Sequence, residues 1–313
     1  MAVSTIVAVA GGSGKLGRAI VDGIKAAGQH KVLVLARESD DEKAKEIGAP
    51  IIAVDYSNPD AIASVLEQNN IDTVVSALSS MAPPEQEVNL ITAADKSSVT
   101  KRYIPSIWAI KYTEEIASYF PLTAVKLNHL KTVKSTSLEW TAVLTGYFLD
   151  YYGAPKVKSY MPPMSLVIDV PNNSAAIPGD GNVPAVFTHT FDVGKFTAAL
   201  LTKDKWEKET YIIGDKLTLN EFVRIAEEVK GTKFTVEYDT LDKLKIGQIT
   251  ELPSHPSSYV YFPKQMLQGM FAAFGVMFAT GVFDFKPSRT LNDEFPEIKP
   301  KTARDIITEA YGA

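Results

Sequence analysis

The chain has 313 residues, a formal net charge of −5 and a pI near 5.5, and 45% of it is hydrophobic; that length permits one large or two fused domains, and the acidic balance without a basic run points away from nucleic acid or any polyanion as partner. It contains no cysteine, which excludes disulfides, thiolate chemistry and cysteine-held metals and permits a reducing compartment. The N-terminus shows no basic region followed by a long apolar run and a cleavage site, so a cytoplasmic protein is expected.

The first apolar run, Val7-Ala8-Val9-Ala10, breaks into Gly11-Gly12-Ser13-Gly14-Lys15-Leu16-Gly17 and then into Leu16, Ile20 and Ile24 at helical spacing. This predicts a buried strand, a tight turn and a helix. In such a unit Gly11 makes the turn, Gly14 lets backbone N–H groups approach a pyrophosphate, and Gly17 lets the helix pack against the sheet. The positive end of the helix then faces the phosphates. Three glycines alone do not separate a dinucleotide site from an ordinary glycine-rich turn, so the next strand decides. That strand, 31–36, ends at Arg37, twenty residues beyond Gly17, where an NAD site carries an acid for the ribose hydroxyls. An arginine suits a 2′-phosphate, with Ser39 and Lys43 as further donors and Glu38 opposed, so NADP(H) is expected as cofactor.

Strands are predicted over 51–54, 73–77, 101–104 and 141–144, with helices over 59–68, 85–96 and 122–135. The alternation predicts an α/β fold with a doubly wound parallel sheet of Rossmann type, with ligands beyond the C-terminal strand ends. Those ends carry Asp55 with Tyr56, Ala77 with Leu78, Pro105 with Ser106, and Gly146 with Tyr147, all candidates for cofactor contact alongside Ser13, Lys15 and Leu16. From Gly153 the chain becomes proline-rich, with short strands near 166–170 and 185–188 around a turn at 178–182, a helix over 191–201 and a strand at 211–213. Thr218-Leu219-Asn220-Glu221 has capping-box spacing and opens a helix to about 230. A strand over 234–238 and a closing helix over 303–311 follow. The expected organisation is a dinucleotide-binding domain over 1–152 and a smaller α+β substrate-covering domain over 153–313, with 190–214 returning to the first sheet. Residues 266–283 form the most apolar stretch; interrupted by Gln268 and three glycines, it reads as a core helix whose Met270 and Phe274 can also wall an apolar pocket rather than as a membrane span.

The glycine run, Arg37, the run Lys101-Arg102-Tyr103-Ile104-Pro105-Ser106 and Lys126 on the next helix resemble the NmrA-like, isoflavone-reductase-like branch of the atypical short-chain dehydrogenases. Asp192-Val193-Gly194-Lys195 and Ile213-Gly214-Asp215-Lys216-Leu217-Thr218 are similar to later family patterns, so the resemblance covers most of the length. It implies NADPH-dependent reduction of an aromatic or other small secondary metabolite with Lys126 as the catalytic residue; the family also includes regulators that sense the cofactor without catalysis. Two departures stand out. Where the reductases continue from Pro-Ser into a glutamate, an aromatic residue and a glycine, this chain has Ile107-Trp108-Ala109. Four residues before Lys126, where ordinary short-chain dehydrogenases carry a tyrosine, stands Leu122.

Without that tyrosine, Lys126 itself or a residue from the second half must handle the proton, and burial would bring a lysine toward working pH. The pair Tyr152 and Lys156 repeats the spacing, but Gly153 and Pro155 speak against a helix there. His129, one turn after Lys126, either reaches the same pocket or is merely packed, and no His/Asp/Glu grouping has metal-ligand spacing. Ile107, Trp108, His129, Phe148, Met270 and Phe274 are the expected substrate-pocket residues. The readings that follow are an NADP(H)-dependent oxidoreductase of a small, largely apolar molecule, a non-catalytic NADP-sensing regulator, or a redox-neutral isomerase or cyclase that retains the cofactor. The oligomeric state is not legible.

Overall fold

The computed structural model describes residues 5–260 and 263–312. Its first half alternates strands and helices: β1 (Ile6–Ala10), α1 (Lys15–Ala27), β2 (Lys31–Ala36), α2 (Asp41–Ile47), β3 (Ile51–Ala53), α3 (Pro59–Gln68), β4 (Ile71–Ser76), α4 (Glu85–Lys96), β5 (Arg102–Ile104), α5 (Glu114–Ala117), α6 (Leu122–Lys134), β6 (Glu139–Trp140) and β7 (Ala142–Leu144). The first six strands form one sheet in the order β3-β2-β1-β4-β5-β6, parallel at every pairing. Strand order therefore reverses between β1 and β4, which opens a crevice beyond their C-terminal ends. This is the doubly wound sheet that the alternation predicts.

Local chemistry explains the boundaries. Residues 7–10 of β1 are all buried, as a parallel central strand requires. Helix α3 begins where the Asn58 side chain accepts the Ala61 N–H and Pro59 occupies the first turn, and α1 ends at Gly28 in the left-handed region. The predicted strand over 141–144 is present as β7 but does not join the main sheet, whose sixth place is taken by β6, just before the predicted range. β6 pairs with β5, whereas β7 pairs in parallel with Glu209–Tyr211, and the chain changes partner at Thr141, whose hydroxyl meets that of Thr210 at 2.8 Å.

Beyond residue 153, Pro184–Thr188 lies between Asp215–Thr218 and Tyr147–Phe148, and Ser174–Pro178 pairs with Thr235–Asp239 and Ile168–Asp169. The capping box at Thr218 and Glu221 is formed and opens the helix Leu219–Lys230. The apolar stretch becomes the helix Lys264–Ala279, and no helix among the described residues is long and apolar enough to cross a membrane.

Helix α1 packs against the helix Thr190–Leu201 through backbone. A Cβ at Gly23 would sit 2.3 Å from the Gly194 carbonyl, and one at Gly194 would sit 2.2 Å from the Ala19 oxygen. Gly194→Ala is therefore expected to lower the unfolding free energy in urea by about 2 kcal/mol or more, since neither backbone can yield without shifting a helix. Gly269→Ala, inside Lys264–Ala279 with nothing within 4 Å of the added methyl, should raise it by about 0.5–1 kcal/mol. Unchanged stability in Gly194→Ala would mean that the two helices are free to separate.

Candidate active site

The turn after β1 is built for close approach. Gly11 has φ +74°, and a Cβ there would lie 2.7 Å from the Ala77 oxygen, so the ends of β1 and β4 touch through backbone. A Cβ at Gly17 would lie 2.2 Å from the Gly11 oxygen, which forces glycine where α1 meets the turn. No side chain caps α1 at Gly14, so the N–H groups of its first turn, from Lys15 and Leu16 onward, remain for an anionic ligand at the positive end of the helix. Ser13 is half-buried on this turn, and Lys15 is exposed beside it. At the end of β2, Arg37 is exposed and makes no hydrogen bond or ion pair with another described residue; Ser39 is exposed on the connection that follows, and Lys43 is exposed in the first turn of α2. These residues can hold a dinucleotide phosphate group and a second phosphate near Arg37.

Asp55 and Tyr56, also expected at the cofactor, carry structural bonds. The Asp55 carboxylate accepts the Ser57 N–H at 2.9 Å and the Ser57 hydroxyl at 2.6 Å, which holds it below the usual carboxylate range. The Tyr56 hydroxyl donates to the Leu35 oxygen at 3.1 Å from a buried position, tying the end of β3 to β2.

The loops after β4 and β5 and the first turns of α6 enclose a cleft. Leu78, Ala82, Pro83, Pro84, Leu122 and Val125 give it apolar walls, and Ser79, Ser80, Gln86, Glu87, Ser106, Lys126 and His129 are its polar members. Lys126 is 4% exposed, and its Nζ donates to the Ser106 oxygen at 2.7 Å. Ser106 in turn donates its hydroxyl to the Leu78 oxygen at 2.9 Å. Burial pushes the Lys126 ammonium below the ordinary lysine value, with the nearby Glu87 charge opposing that shift. His129 joins the cleft: its Nε2 lies 3.1 Å from the Pro84 oxygen, its buried Nδ1 has no partner among the described residues, and burial lowers its pKa. Lys156 lies beyond the short helix Asp150–Gly153, which separates it from the helical spacing of a tyrosine–lysine pair.

Several expected pocket residues stand elsewhere. Ile107 is 1% exposed and packs in the main core, away from the cleft; the chain bends at Ser106, with the Ile107 N–H donating back to the Pro105 oxygen at 2.6 Å. Trp108 is buried in the second core cluster, with its indole N–H donating to the Ser76 oxygen at 2.7 Å. Phe148 packs against that same cluster. Phe274 meets the Phe120 ring at 5.4 Å and the Tyr147 ring at 6.0 Å in edge contacts, and Met270 packs beside the main core; neither lines the cleft around Lys126. Tyr147 is 5% exposed at the centre of this aromatic cluster, following Gly146, whose N–H donates to the Ala109 oxygen at 2.9 Å. The residue missed by inspection of the sequence is Glu87. Its signal was an acid in register with Leu90, Ile91 and Ala94, the buried face of α4.

The NmrA-like family model matches residues 4–305. The chain belongs to the NmrA-like family. Among curated relatives of this NmrA-like protein, "Oxidoreductase BOA1" of Botryotinia fuckeliana is 35% identical over 303 residues, covering 95% of this chain and 97% of the relative. Two solved structures share the fold. The complex described as "AtPrR2 with NADP+ and (+)pinoresinol" has a TM-score of 0.77 at 23% identity, covering 98% of this chain and 99% of the other. The binary complex of leucoanthocyanidin reductase with NADPH from Vitis vinifera has a TM-score of 0.73 at 21% identity, covering 97% and 98%.

The place of Ile107 sets an expectation for this NmrA-like chain. Ile107→Glu should cost about 3 kcal/mol or more of unfolding free energy at pH 7, because it buries a carboxylate without a designed partner. The folded-state pKa of the new acid would be raised, so the loss should shrink as pH falls through that value toward the unfolded value near ~4.3. Ile107→Met, of similar volume, should cost less than about 1.5 kcal/mol. Urea unfolding at pH 7 and pH 5 checks both; a loss independent of pH would point to shape rather than charge.

Proposed function

We propose that this protein is an NADP(H)-dependent reductase of a small, largely apolar molecule and that Lys126 is its proton-transfer residue. The observation that carries the reading is Lys126 itself: a buried lysine in an apolar-walled cleft, its Nζ held on the Ser106 oxygen, with no direct ion pair among the described residues. Such a lysine has a pKa lowered toward working pH and can give up a proton where a surface lysine cannot. The relative described as an oxidoreductase and the neighbours bound to NADP+ or NADPH support the same chemistry. Residues 1–152 would hold the cofactor and much of 153–313 would cover the substrate.

In this reading the first turn of α1 binds the pyrophosphate and Arg37 binds the 2′-phosphate. When bound, the nicotinamide supplies or accepts hydride. Lys126 holds the proton that neutralises the charge left on the substrate, and the side chains of Leu78, Pro83, Leu122 and Val125 exclude water from it. The cleft has about 10 Å³ of free volume, so it admits the polar atom of a ligand beside Lys126 while a hydrocarbon or aromatic body would lie against its apolar rim. Leu122 stands one turn before Lys126 on the cleft wall, so no phenol shares the proton transfer from that position.

Coenzyme choice tests the first half of the reading. NADPH should bind at least about tenfold more tightly than NADH, about 1.4 kcal/mol, and Arg37→Asp should abolish or reverse that preference. Equal affinities in calorimetry would remove Arg37 from the site. Lys126→Met tests the other half: turnover should fall about a hundredfold or more while NADPH affinity stays within a few-fold, because the phosphate contacts supply most of the binding. Turnover and affinity falling together would instead assign Lys126 to cofactor binding.

A further inference from the structure

The resemblance to reductases leaves the glutamate after Pro105-Ser106 missing, yet the structure holds a carboxylate against that same loop from another element. Glu87 of α4 is 2% exposed. Its Oε1 accepts the Ser106 N–H at 3.1 Å and the Tyr103 hydroxyl at 3.0 Å, and its Oε2 accepts the Ser76 hydroxyl at 2.5 Å. Three donors from the end of β4, from β5 and from the loop after β5 converge on one buried anion. The arrangement offsets desolvation by hydrogen bonds to the charged form rather than by an ion pair. Ser106 is thereby fixed on three sides: its N–H on Glu87, its hydroxyl on the Leu78 oxygen, and its carbonyl oxygen under the Lys126 Nζ.

We propose that Glu87 is the positioning residue of Lys126: through Ser106 it fixes where the Nζ stands, and its negative charge keeps that Nζ an ammonium until substrate is in place. The proposal rests on the reading of Lys126 as the proton-transfer residue. Glu87 never touches the proton in this scheme. A neutral core at this position would leave Lys126 with burial alone, which favours the free amine and empties the proton reservoir before the reaction.

The charged and titratable groups around Lys126 are few. Glu87 faces it from α4, His129 lies one turn further along α6, Tyr103 hydrogen-bonds Glu87 from β5, and Tyr56, bonded to the Leu35 oxygen beyond the end of β3, feels the Glu87 charge through space. Burial pushes both tyrosines up and His129 down, so none of the three changes charge between neutral pH and the ordinary tyrosine range. The alkaline limb of the reduction therefore reports Lys126. Its acid form is required, so turnover falls as pH rises through the Lys126 pKa, and removal of the Glu87 charge moves that fall to lower pH.

The test uses the full chain with NADPH and two variants, Glu87→Gln and Glu87→Asp. Glu87→Gln keeps the reach and an acceptor for Ser106 but removes the charge. The Lys126 titration, followed by NMR of the 13Cε-lysine-labelled protein and assigned with Lys126→Arg, should shift down by about one unit or more. The alkaline limb of kcat should move with it, while the KM for NADPH stays within a few-fold. Glu87→Asp keeps the charge but shortens the arm, so turnover should fall about tenfold or more with the Lys126 titration nearly in place. A Lys126 titration unmoved in Glu87→Gln overturns the charge role, and wild-type turnover in Glu87→Asp overturns the geometric one. Because NMR reads the lysine directly, a shifted titration together with full turnover in Lys126→Met would leave Glu87 as the partner of Lys126 and overturn only the catalytic assignment. A variant that loses its near-ultraviolet circular dichroism is replaced by the other, whose outcome decides.

Discussion

The contact on which the arrangement depends is backbone against backbone. Gly23 of α1 and Gly194 of the helix Thr190–Leu201 leave no room for a methyl between them, so two helices from distant parts of the chain meet backbone to backbone. The start of that second helix is fixed as well. The buried Asp150 carboxylate accepts the Thr190 N–H at 2.8 Å and the Thr190 hydroxyl at 2.6 Å, satisfying donors that the helix start leaves open. Helix α1 is thus pinned at its middle by Gly23 and at its start by Gly17 under the Gly11 oxygen. Its first-turn N–H groups point to one place, and they point there before any ligand arrives, which lowers the entropic cost of binding a phosphate.

The cleft around Lys126 depends on a different economy, that of buried charge. A lysine and a carboxylate near each other in a core do not stabilise a fold by their presence, since each loses its water. Here the two do not form a direct pair. The anion is held by three donors and the cation by one carbonyl, and Ser106 stands between them. Separation of the two through a backbone unit leaves the ammonium free to lose its proton without breaking an ion pair. It also places the two costly groups on α4 and α6, where both reach the Ser106 loop after β5 and share its backbone as partner.

Much of this was legible in the sequence where local chemistry decides the outcome. The helices Pro59–Gln68, Glu85–Lys96 and Ala303–Tyr311 fall where periodicity and caps put them, because Asn58 and Thr302 accept N–H groups in their own first turns. The partner change at Thr141 was not legible: Glu139-Trp140 carries too little pattern to read as a strand of its own, and only the arrival of Glu209–Tyr211 from far along the chain draws β7 out of the main sheet. Ser174–Pro178 was missed for a similar reason. Its small side chains carry little strand signal, and it becomes a strand by pairing in parallel with Thr235–Asp239.

The site was legible to the same depth. The glycine turn, Arg37, Ser106 and Lys126 are marked by motif, and the structure brings Leu78, Ser106, Lys126 and His129 to one cleft. What the motif could not give is the side on which a loop residue points. Ile107 follows Ser106 at a bend, its N–H folded back onto the Pro105 oxygen at 2.6 Å, and its side chain lies in the core while Ser106 lines the cleft, so a carboxylate placed there would be cut off from water. The position that does face the loop belongs to α4, one turn before Leu90 and Ile91, and there the sequence carries glutamate. An acid on the apolar face of a helix is costly unless donors await it, and the donors at Ser76, Tyr103 and Ser106 lie on three separate segments. That cost explains why Glu87 reads as an anomaly in α4 alone and as a necessity once β4, β5 and the Ser106 loop are assembled around it.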